Sequence, residues 1–267
     1  MITLLTFDFM HNALLASLLV SLICGIIGTL IVINRMVFIA GGIAHGSYGG
    51  IGLALFLGIS PLLGASLFAL FLALVIAYLT RKSSTRLDAL IGVLWAFGMA
   101  FGIIMTDLTP GYNVDLMSYL FGAILSVSSD DLSAMGSVLT IITLFVGFYY
   151  RQLIAMSFDT KFAQLRGVKT TWLYTLLILM IALSVVMCIR AVGLILVIAL
   201  LTIPPYMSEK FTTSIASMML LSCILAFCFS LVGLWLSYYY NLSAGAAIIL
   251  VATSAFFVQL LFQKILR

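Results

Sequence analysis

Apolar runs long enough to cross a bilayer follow one another through almost the whole chain. A transmembrane helix needs about 20 consecutive apolar residues, and this chain of 267 residues is 64% hydrophobic with 7% charged residues. A soluble domain carries about 25% charged residues. So large an apolar surface needs lipid as its solvent, because no single soluble core could bury it. We therefore expect an all-α, polytopic transmembrane helical bundle that occupies residues 1–267 as one domain.

The apolar runs predict about eight or nine membrane crossings. The predicted spans are residues 12–33, 37–57, 61–80, 88–106, 131–150, 170–189, 191–203, 214–237 and 244–263. The run at 191–203 is short and ends at Pro204 and Pro205, which predicts a broken helix. The run at 118–127 is shorter still, and we expect it to re-enter the membrane or to lie buried against other helices. An even number of crossings stays open if either short run is miscounted.

The basic residues indicate the direction in which the chain crosses the membrane. Cytoplasmic loops carry an excess of Lys and Arg. With the N-terminus outside and the C-terminus in the cytoplasm, nine crossings leave only Arg190 of the 12 basic residues outside. The acidic residues placed outside are Asp8, Asp107, Asp115, Asp130 and Asp131. We therefore predict a multi-pass protein of the inner or plasma membrane in that orientation.

The sequence carries no motif for covalent catalysis. It has two histidines, and the segment closest to a P-loop, RGVKTT at 166–171, lacks the GxxxxGK[ST] spacing. The predicted spans also lack the buried acidic and basic groups that ion-coupled transporters use. We therefore expect a transport protein that is not an enzyme, binds no cofactor of its own and draws energy from another subunit. The net charge of +4 gives no indication of nucleic-acid binding.

The segment SFDTKFAQLRGVKT at 157–170 is predicted to form a short helix in the long cytoplasmic loop. Asp159 suits the N-cap position, where its carboxylate accepts hydrogen bonds from orphan backbone amides. Gly167 suits the left-handed position after the helix, next to Arg166. The apolar side of the helix consists of Phe162, Ala163 and Leu165. Docking on another subunit and resting on lipid headgroups are both consistent with this pattern.

The segment FIAGGIAHGSYGGIGLAL at 38–55 combines glycines with a histidine inside a predicted span. Gly42, Gly46 and Gly50 recur every four residues, so they share one helix face and predict close packing against another helix. Packing does not explain His45, which lies near the middle of the membrane. Ionisable groups at that depth mark functional sites, and neutral imidazole is a common ligand for metals such as zinc. We therefore predict that His45 either contacts a transported ion or bonds a carbonyl of a neighbouring helix.

Four blocks of the sequence together resemble one family of transport proteins. The blocks are FIAGGIAHGSYGGIGLAL at 38–55, LDALIGVLWAFGMAFGII at 87–104, LMSYLFGAILSVSSDDL at 116–132 and RAVGLILVIALLTIPPYMSEKF at 190–211. The matching positions include His45, Gly50, Asp88, Ile91 and Gly92. In this order and spacing the blocks resemble the permease subunits of ATP-binding-cassette (ABC) importers for zinc, manganese and iron, the ABC-3 family.

The resemblance implies a type II-like importer permease that forms a homodimer, or pairs with a related permease, around one translocation path in the lipid. It also implies cytoplasmic ABC ATPase subunits that bind ATP, and an extracytoplasmic metal-binding protein that delivers the cargo. The cargo is then a divalent metal, with zinc ahead of manganese and iron. The segment 157–170 resembles the coupling helix that docks on the ATPase, and the cytoplasmic loop 151–169 is then the coupling-helix loop. The residues carried over for coupling are Asp159, Lys161, Phe162, Ala163, Leu165, Arg166 and Gly167.

One position beside His45 departs from the family pattern. Members of the family often carry Asp one turn before this histidine, and here that position is Gly41. A carboxylate and an imidazole at i and i+4 share a helix face, so its loss leaves His45 as the single candidate ligand. Two other functions stay open: a permease of the same architecture for a metal chelate or another small solute, and a stand-alone secondary transporter or channel.

Overall fold

A computed structural model describes residues 8–82, 86–110, 122 and 124–265 of the chain. These residues form helices and connecting turns, with no β-strand among them. The helices are α1 (Asp8–Ile33), α2 (Val37–Gly46), α3 (Tyr48–Phe56), α4 (Pro61–Lys82), α5 (Leu87–Asp107), α6 (Ser129–Phe158), α7 (Thr160–Leu165), α8 (Thr170–Val192), α9 (Leu194–Glu209), α10 (Ile215–Tyr240) and α11 (Ala244–Ile265). A short 3-10 turn at Ile124–Ser126 precedes α6.

Within the described chain, 8 helical segments are long and apolar enough to cross a membrane. They are Met10–Ile33, Val37–Phe56, Pro61–Thr80, Leu87–Asp107, Ser129–Phe158, Thr170–Val192, Ile215–Tyr240 and Ala244–Gln263. The prediction of an all-α, polytopic transmembrane bundle is confirmed. Helix α9 has 16 residues and is about 24 Å long at 1.5 Å per residue, against about 30 Å of hydrocarbon.

The connection between α8 and α9 corrects one prediction. The sequence predicts a helix over 191–203 that ends at the two prolines, but Pro204 and Pro205 both lie inside α9. The chain breaks instead at Gly193, whose φ of 81° and ψ of 162° belong to a region that glycine alone adopts readily. The prediction was wrong because the two prolines, which lack an amide hydrogen, are accommodated inside α9, whereas the backbone conformation that ends α8 occurs at the glycine.

Two more predicted boundaries differ from the structure. The predicted span 37–57 is divided at Ser47 into α2 and α3, although the two helices together keep the length of one crossing. Helix α6 continues to Phe158, so the first part of the predicted loop 151–169 is helical. Of the predicted re-entrant segment 118–127, residues 118–121 and 123 lie outside the described residues.

The ends of several helices follow from local side-chain hydrogen bonds. At the start of α6, Ser128 Oγ accepts from the Asp131 amide at 3.2 Å, and Asp131 Oδ2 accepts from the Ser128 amide at 3.2 Å. Helix α10 begins with the same reciprocal arrangement between Ser214 and Ser217. Each pair satisfies two amides that have no partner within the helix, so these starts are encoded locally.

The chain forms two compact units, of which the first comprises the described parts of Met1–Val32, Met117–Thr143 and Met187–Arg267. Here α9, α10 and α11 pack against one another. Arg190 Nε lies 3.2 Å from Asp131 Oδ1, and the Asp131 side chain is only 10% exposed. Asn12 Nδ2 donates to the Val127 carbonyl at 3.4 Å. Both contacts join residues that the charge pattern assigns to the same, outer side.

The second unit comprises the described parts of Ile33–Leu116 and Leu144–Val186. Its centre is the α2–α3 pair, which packs against both α4 and α5. At one end Asn34 Nδ2 donates to Ser157 Oγ at 2.9 Å, which joins two segments that the charge pattern assigns to the cytoplasmic side. The candidate site described below lies in this second unit.

The conformation at Gly193 gives a test of the corrected helix break. A Cβ at this φ and ψ costs about 1–3 kcal/mol, so we expect Gly193→Ala to lower the thermal unfolding midpoint of the detergent-solubilised protein. Gly136→Ala is the matched control, because Gly136 is a helical residue of α6 and an added Cβ there meets no atom within 4 Å. The control should keep or slightly raise the midpoint. Equal midpoints for the two variants would contradict a break at Gly193.

Candidate functional site

His45 lies next to the interruption between α2 and α3. It is the penultimate residue of α2, and Ser47, which separates the two helices, donates its hydroxyl to the Ala44 carbonyl at 2.7 Å. Val37–Phe56 is the segment of membrane-crossing length, so His45 lies about 12 Å from one end of it. The structure therefore places the imidazole close to the middle of a membrane span, as the sequence predicted.

The imidazole of His45 stacks on an aromatic side chain of α5. The ring centroids of His45 and Trp95 are 4.0 Å apart and the ring planes differ by 12°. The indole is itself oriented, because Trp95 Nε1 donates to Met99 Sδ at 3.0 Å, one turn further along α5. The sulfur of Met99 is therefore occupied by this hydrogen bond.

One nitrogen of His45 is buried without a hydrogen bond. Nδ1 has no partner among the described residues, so the predicted bond to a neighbouring carbonyl is not made at this atom. A buried polar atom without a partner is unfavourable by about 1–3 kcal/mol. One turn earlier on α2, an added Cβ on Gly41 would meet no atom within 4 Å. An unsatisfied nitrogen and free space one turn earlier thus occur on the same helix.

The glycines of α2 and α3 are in close contact with α4 and α5. An added Cβ on Gly42 would overlap the side chain of Ile91, and one on Gly46 would lie 2.5 Å from Leu72 Cδ1. At Gly50 it would lie 2.5 Å from Phe68 Cβ. The three glycines therefore contact two different helices rather than one.

Helix α5 contributes its own glycines to this contact. An added Cβ on Gly98 would lie 2.5 Å from the Gly46 carbonyl oxygen, and one on Gly102 would lie 2.5 Å from the Tyr48 carbonyl oxygen. These carbonyls flank the interruption at Ser47. Backbone therefore meets backbone on both sides of the interruption, which brings Trp95 within reach of His45.

Other metal-ligating side chains are dispersed in the described chain. No group of three or more His, Cys, Asp or Glu residues there could hold a metal ion. Cys24, Cys188 and Cys223 are buried, as expected for small apolar residues, whereas Cys228 is exposed. Cys24 Sγ lies 3.9 Å from Cys188 Sγ, and neither is in a disulfide. His45 therefore remains the side chain to examine as an ion contact.

The predicted cytoplasmic helix forms as α7, with both ends as expected. Asp159 Oδ1 accepts from the amides of Lys161 at 2.9 Å and Phe162 at 3.0 Å. Gly167 has a φ of 82°, and its amide bonds the Gln164 carbonyl at 2.9 Å. The amide of Val168 bonds the Ala163 carbonyl at 3.0 Å, which completes a Schellman motif.

The side chains of α7 divide into one buried group and several exposed ones. Ala163 is fully buried, whereas Phe162 is 49% exposed and Leu165 is 88% exposed. The Arg166 guanidinium lies 5.2 Å from the centroid of the Phe162 ring, and Lys161 is exposed. Phe162 and Leu165 are therefore the apolar side chains that α7 leaves exposed.

Sequence reasoning did not identify Trp95 as part of the site. It lies inside the block at 87–104 that resembles the family, but no spacing rule connects it to a residue about 50 positions earlier. The contact with His45 depends on the register of α5 against α2. That register is set by glycine contacts between helices, which a single sequence does not display.

Comparison with known proteins identifies the family. The model of the ABC 3 transport family matches residues 6–263, and the chain belongs to this family. An uncharacterized membrane protein of Synechocystis sp. is 48% identical over 264 residues, covering 99% of this chain and 94% of that protein. The manganese transport system membrane protein MntC of Listeria monocytogenes is 31% identical over 259 residues, covering 97% of this chain and 92% of that protein.

A solved structure supports the same assignment. The structure of PsaBC from Streptococcus pneumoniae in complex with Fab matches with a TM-score of 0.86 and 31% identity, covering 97% of this chain and 95% of that chain. The chain is therefore a multi-pass transport permease of the ABC importer class. A separate ATPase hydrolyses the ATP, so the alternative of a stand-alone secondary transporter is withdrawn.

Proposed function

We propose that this permease carries a divalent metal ion into the cytoplasm and that manganese is its cargo. Family membership supports an importer, and a relative at 31% identity is named for manganese transport. The observation that carries the proposal is the imidazole of His45 at mid-span, whose Nδ1 is unbonded, one turn after the open space at Gly41. A polar nitrogen that is left unpaired in an apolar span is available to a passing cation.

Zinc ranked first from the sequence, and that ranking is not confirmed. Nitrogen ligands hold zinc more tightly than manganese, so one imidazole offers manganese only a weak contact. Weak contact favours conduction, because an ion held tightly at mid-membrane is released slowly. Together with the manganese system named among the relatives, this argument ranks manganese ahead of zinc and iron.

Removal of the imidazole should lower manganese uptake. We expect His45→Ala to reduce the initial rate by about tenfold, because the side chain is the one metal ligand identified at mid-span. The measurement is uptake of radioactive manganese by cells with the complete transporter, with zinc and iron in parallel. Unchanged uptake of all three metals by His45→Ala would remove the ligand role. If the unaltered protein takes up zinc but not manganese, zinc replaces manganese as the cargo.

Addition of a metal ligand at position 41 is the opposite change to removal of the imidazole, and it gives an independent test. Gly41→Asp adds a carboxylate one turn before His45, where an added Cβ meets no atom within 4 Å. Manganese prefers oxygen ligands, so the KM for manganese should fall by about tenfold. Gly41→Asn has the same size without the charge and should change the KM less. Identical behaviour of the two variants would show that position 41 does not contact the ion.

We further propose that α7 couples the permease to its ATPase. Two observations support this proposal: Leu165 is 88% exposed, so a partner can reach its side chain, and both helix ends are fixed by hydrogen bonds, so the helix forms without a partner. The basic side chains Lys161 and Arg166 flank this apolar contact. Ala163 is fully buried, so it packs within the permease and does not contact the ATPase.

Replacement of the exposed leucine should separate the ATPase from the permease. Leu165→Asp removes no internal packing, so the permease should stay folded while the affinity for the ATPase falls by about tenfold or more. The measurement is vanadate-sensitive ATPase activity that co-purifies with the tagged permease. Phe211→Asp is the matched control, because Phe211 is 68% exposed in another predicted cytoplasmic turn. Equal retention of ATPase by both variants would contradict docking through α7.

The assembly that we propose follows the family pattern. Two permease chains, identical or related, surround one path within the lipid, two ABC ATPase subunits bind on the cytoplasmic side, and an extracytoplasmic protein delivers the metal. In this arrangement a second His45 from the partner permease could supply the ligand that Gly41 does not. The single domain over 1–267, with coupling loop 151–169, is part of the same proposal.

We also propose that the N-terminus lies outside and the C-terminus in the cytoplasm, with α9 as the ninth crossing. The contact between Arg190 and Asp131 supports a position of both residues on the same side of the membrane. A phosphatase that is active only outside the cytoplasm should be active when fused after Arg190 and inactive when fused after Lys210. These two fusion points lie on either side of α9, so activity at both would show that α9 does not cross.

A further inference from the structure

Trp95 is the residue of α5 in stacking contact with the candidate ligand. Its ring lies 4.0 Å from the imidazole of His45, nearly parallel at 12°. Phe38, which is also a residue of α2, lies near the indole with a centroid separation of 6.4 Å and the ring planes tilted by 56°. The Nε1–H of Trp95 is engaged by Met99 Sδ at 3.0 Å, so the indole is oriented on its own helix before it meets the imidazole.

The axial position of Trp95 relative to His45 is fixed by backbone contacts between α5 and α2. Gly98 follows Trp95 by three residues and Gly46 follows His45 by one, and an added Cβ on Gly98 would lie 2.5 Å from the Gly46 carbonyl oxygen. Because this contact joins two main chains, it does not relax through side-chain rotation. The stacked pair is therefore held by rigid helices, which is how precise sites are supported.

A stacked indole affects an imidazole ligand in two ways. It limits rotation of the imidazole ring, which fixes the direction in which the ring nitrogens point. It also presents its negative face to a ring that becomes positively polarised when a cation binds, and Trp is the strongest such partner among the aromatic residues. Both effects favour the metal-bound form of His45 over the free form.

We infer that Trp95 is a positioning residue for metal capture: it orients the imidazole of His45 and stabilises it when a cation is bound. The inference rests on the proposed role of His45 as an ion contact. It adds a residue of α5 that contributes no ligand atom. Met99 belongs to the same arrangement, because its sulfur sets the orientation of the indole.

The first test is a transport measurement on the complete importer. We expect Trp95→Leu to raise the KM for manganese by about fivefold with little change in the maximal rate, since a cation–π contribution is lost. Trp95→Phe keeps an aromatic face and should restore most of the affinity. Phe97→Leu is the matched control, because Phe97 is a 58% exposed aromatic residue of the same helix that stacks on Phe101 rather than His45. An unchanged KM in Trp95→Leu would overturn the inference.

The second test measures the fluorescence of Trp95 in the purified permease and does not depend on transport. The chain has 3 tryptophans, so Trp172→Phe with Trp235→Phe leaves Trp95 as the single indole emitter. Manganese added to the purified permease should change the Trp95 emission in a saturable way, because the ion binds the ring stacked on it. Magnesium, which gives up its bound water molecules reluctantly, should not. His45→Ala should abolish the manganese response.

The outcomes separate this inference from the proposed function. If His45→Ala lowers uptake but the single-tryptophan protein gives no saturable response to manganese, His45 remains a ligand and the role of Trp95 is refuted. If His45→Ala leaves uptake unchanged, the proposed function fails at its first step. If the response persists in His45→Ala, manganese binds elsewhere near Trp95 and the inference is also refuted.

Discussion

The contact between the backbone of α5 and that of the α2–α3 pair is the constraint on which the candidate site depends. Gly98 and Gly102 face the carbonyls of Gly46 and Tyr48, on either side of the interruption at Ser47. Larger residues at these positions would push the helices apart. With glycines, the helices approach closely enough for Trp95 to stack on His45. The orientation of the imidazole is therefore a consequence of helix packing.

The ion contact proposed for His45 suits passage of an ion rather than its storage. Its Nδ1 is unbonded, and no group of three or more ligating residues of the described chain is arranged to hold a metal. A single imidazole provides a weak contact, whereas several converging ligands would retain the ion. Gly41 contributes to this balance, because it offers free space and no ligand atom one turn before the histidine.

Features that depend on neighbouring residues could be predicted from the sequence, whereas features that depend on contacts between distant helices could not. The ends of α7 could be predicted because Asp159 and Gly167 act within a few residues of their own positions. The break before α9 was predicted at Pro204 and Pro205, yet it lies at Gly193. Prolines inside a helix are tolerated in membrane proteins. The Leu201 carbonyl, which loses its helical donor at Pro205, lies close to Gly28 of α1, where an added Cβ would lie 2.6 Å from the oxygen.

The sequence by itself determined the all-helical membrane class, most of the spans, the caps of α7 and the depth of His45, because hydrophobic run length and capping are properties of neighbouring residues. Tertiary structure alone decided which helices the glycines of α2 and α3 contact, that Trp95 covers the imidazole and that Leu165 is left exposed. Those features depend on the axial register between helices distant in the chain. Register follows from the fit between the surfaces of two helices. This fit leaves no periodic pattern in a single sequence.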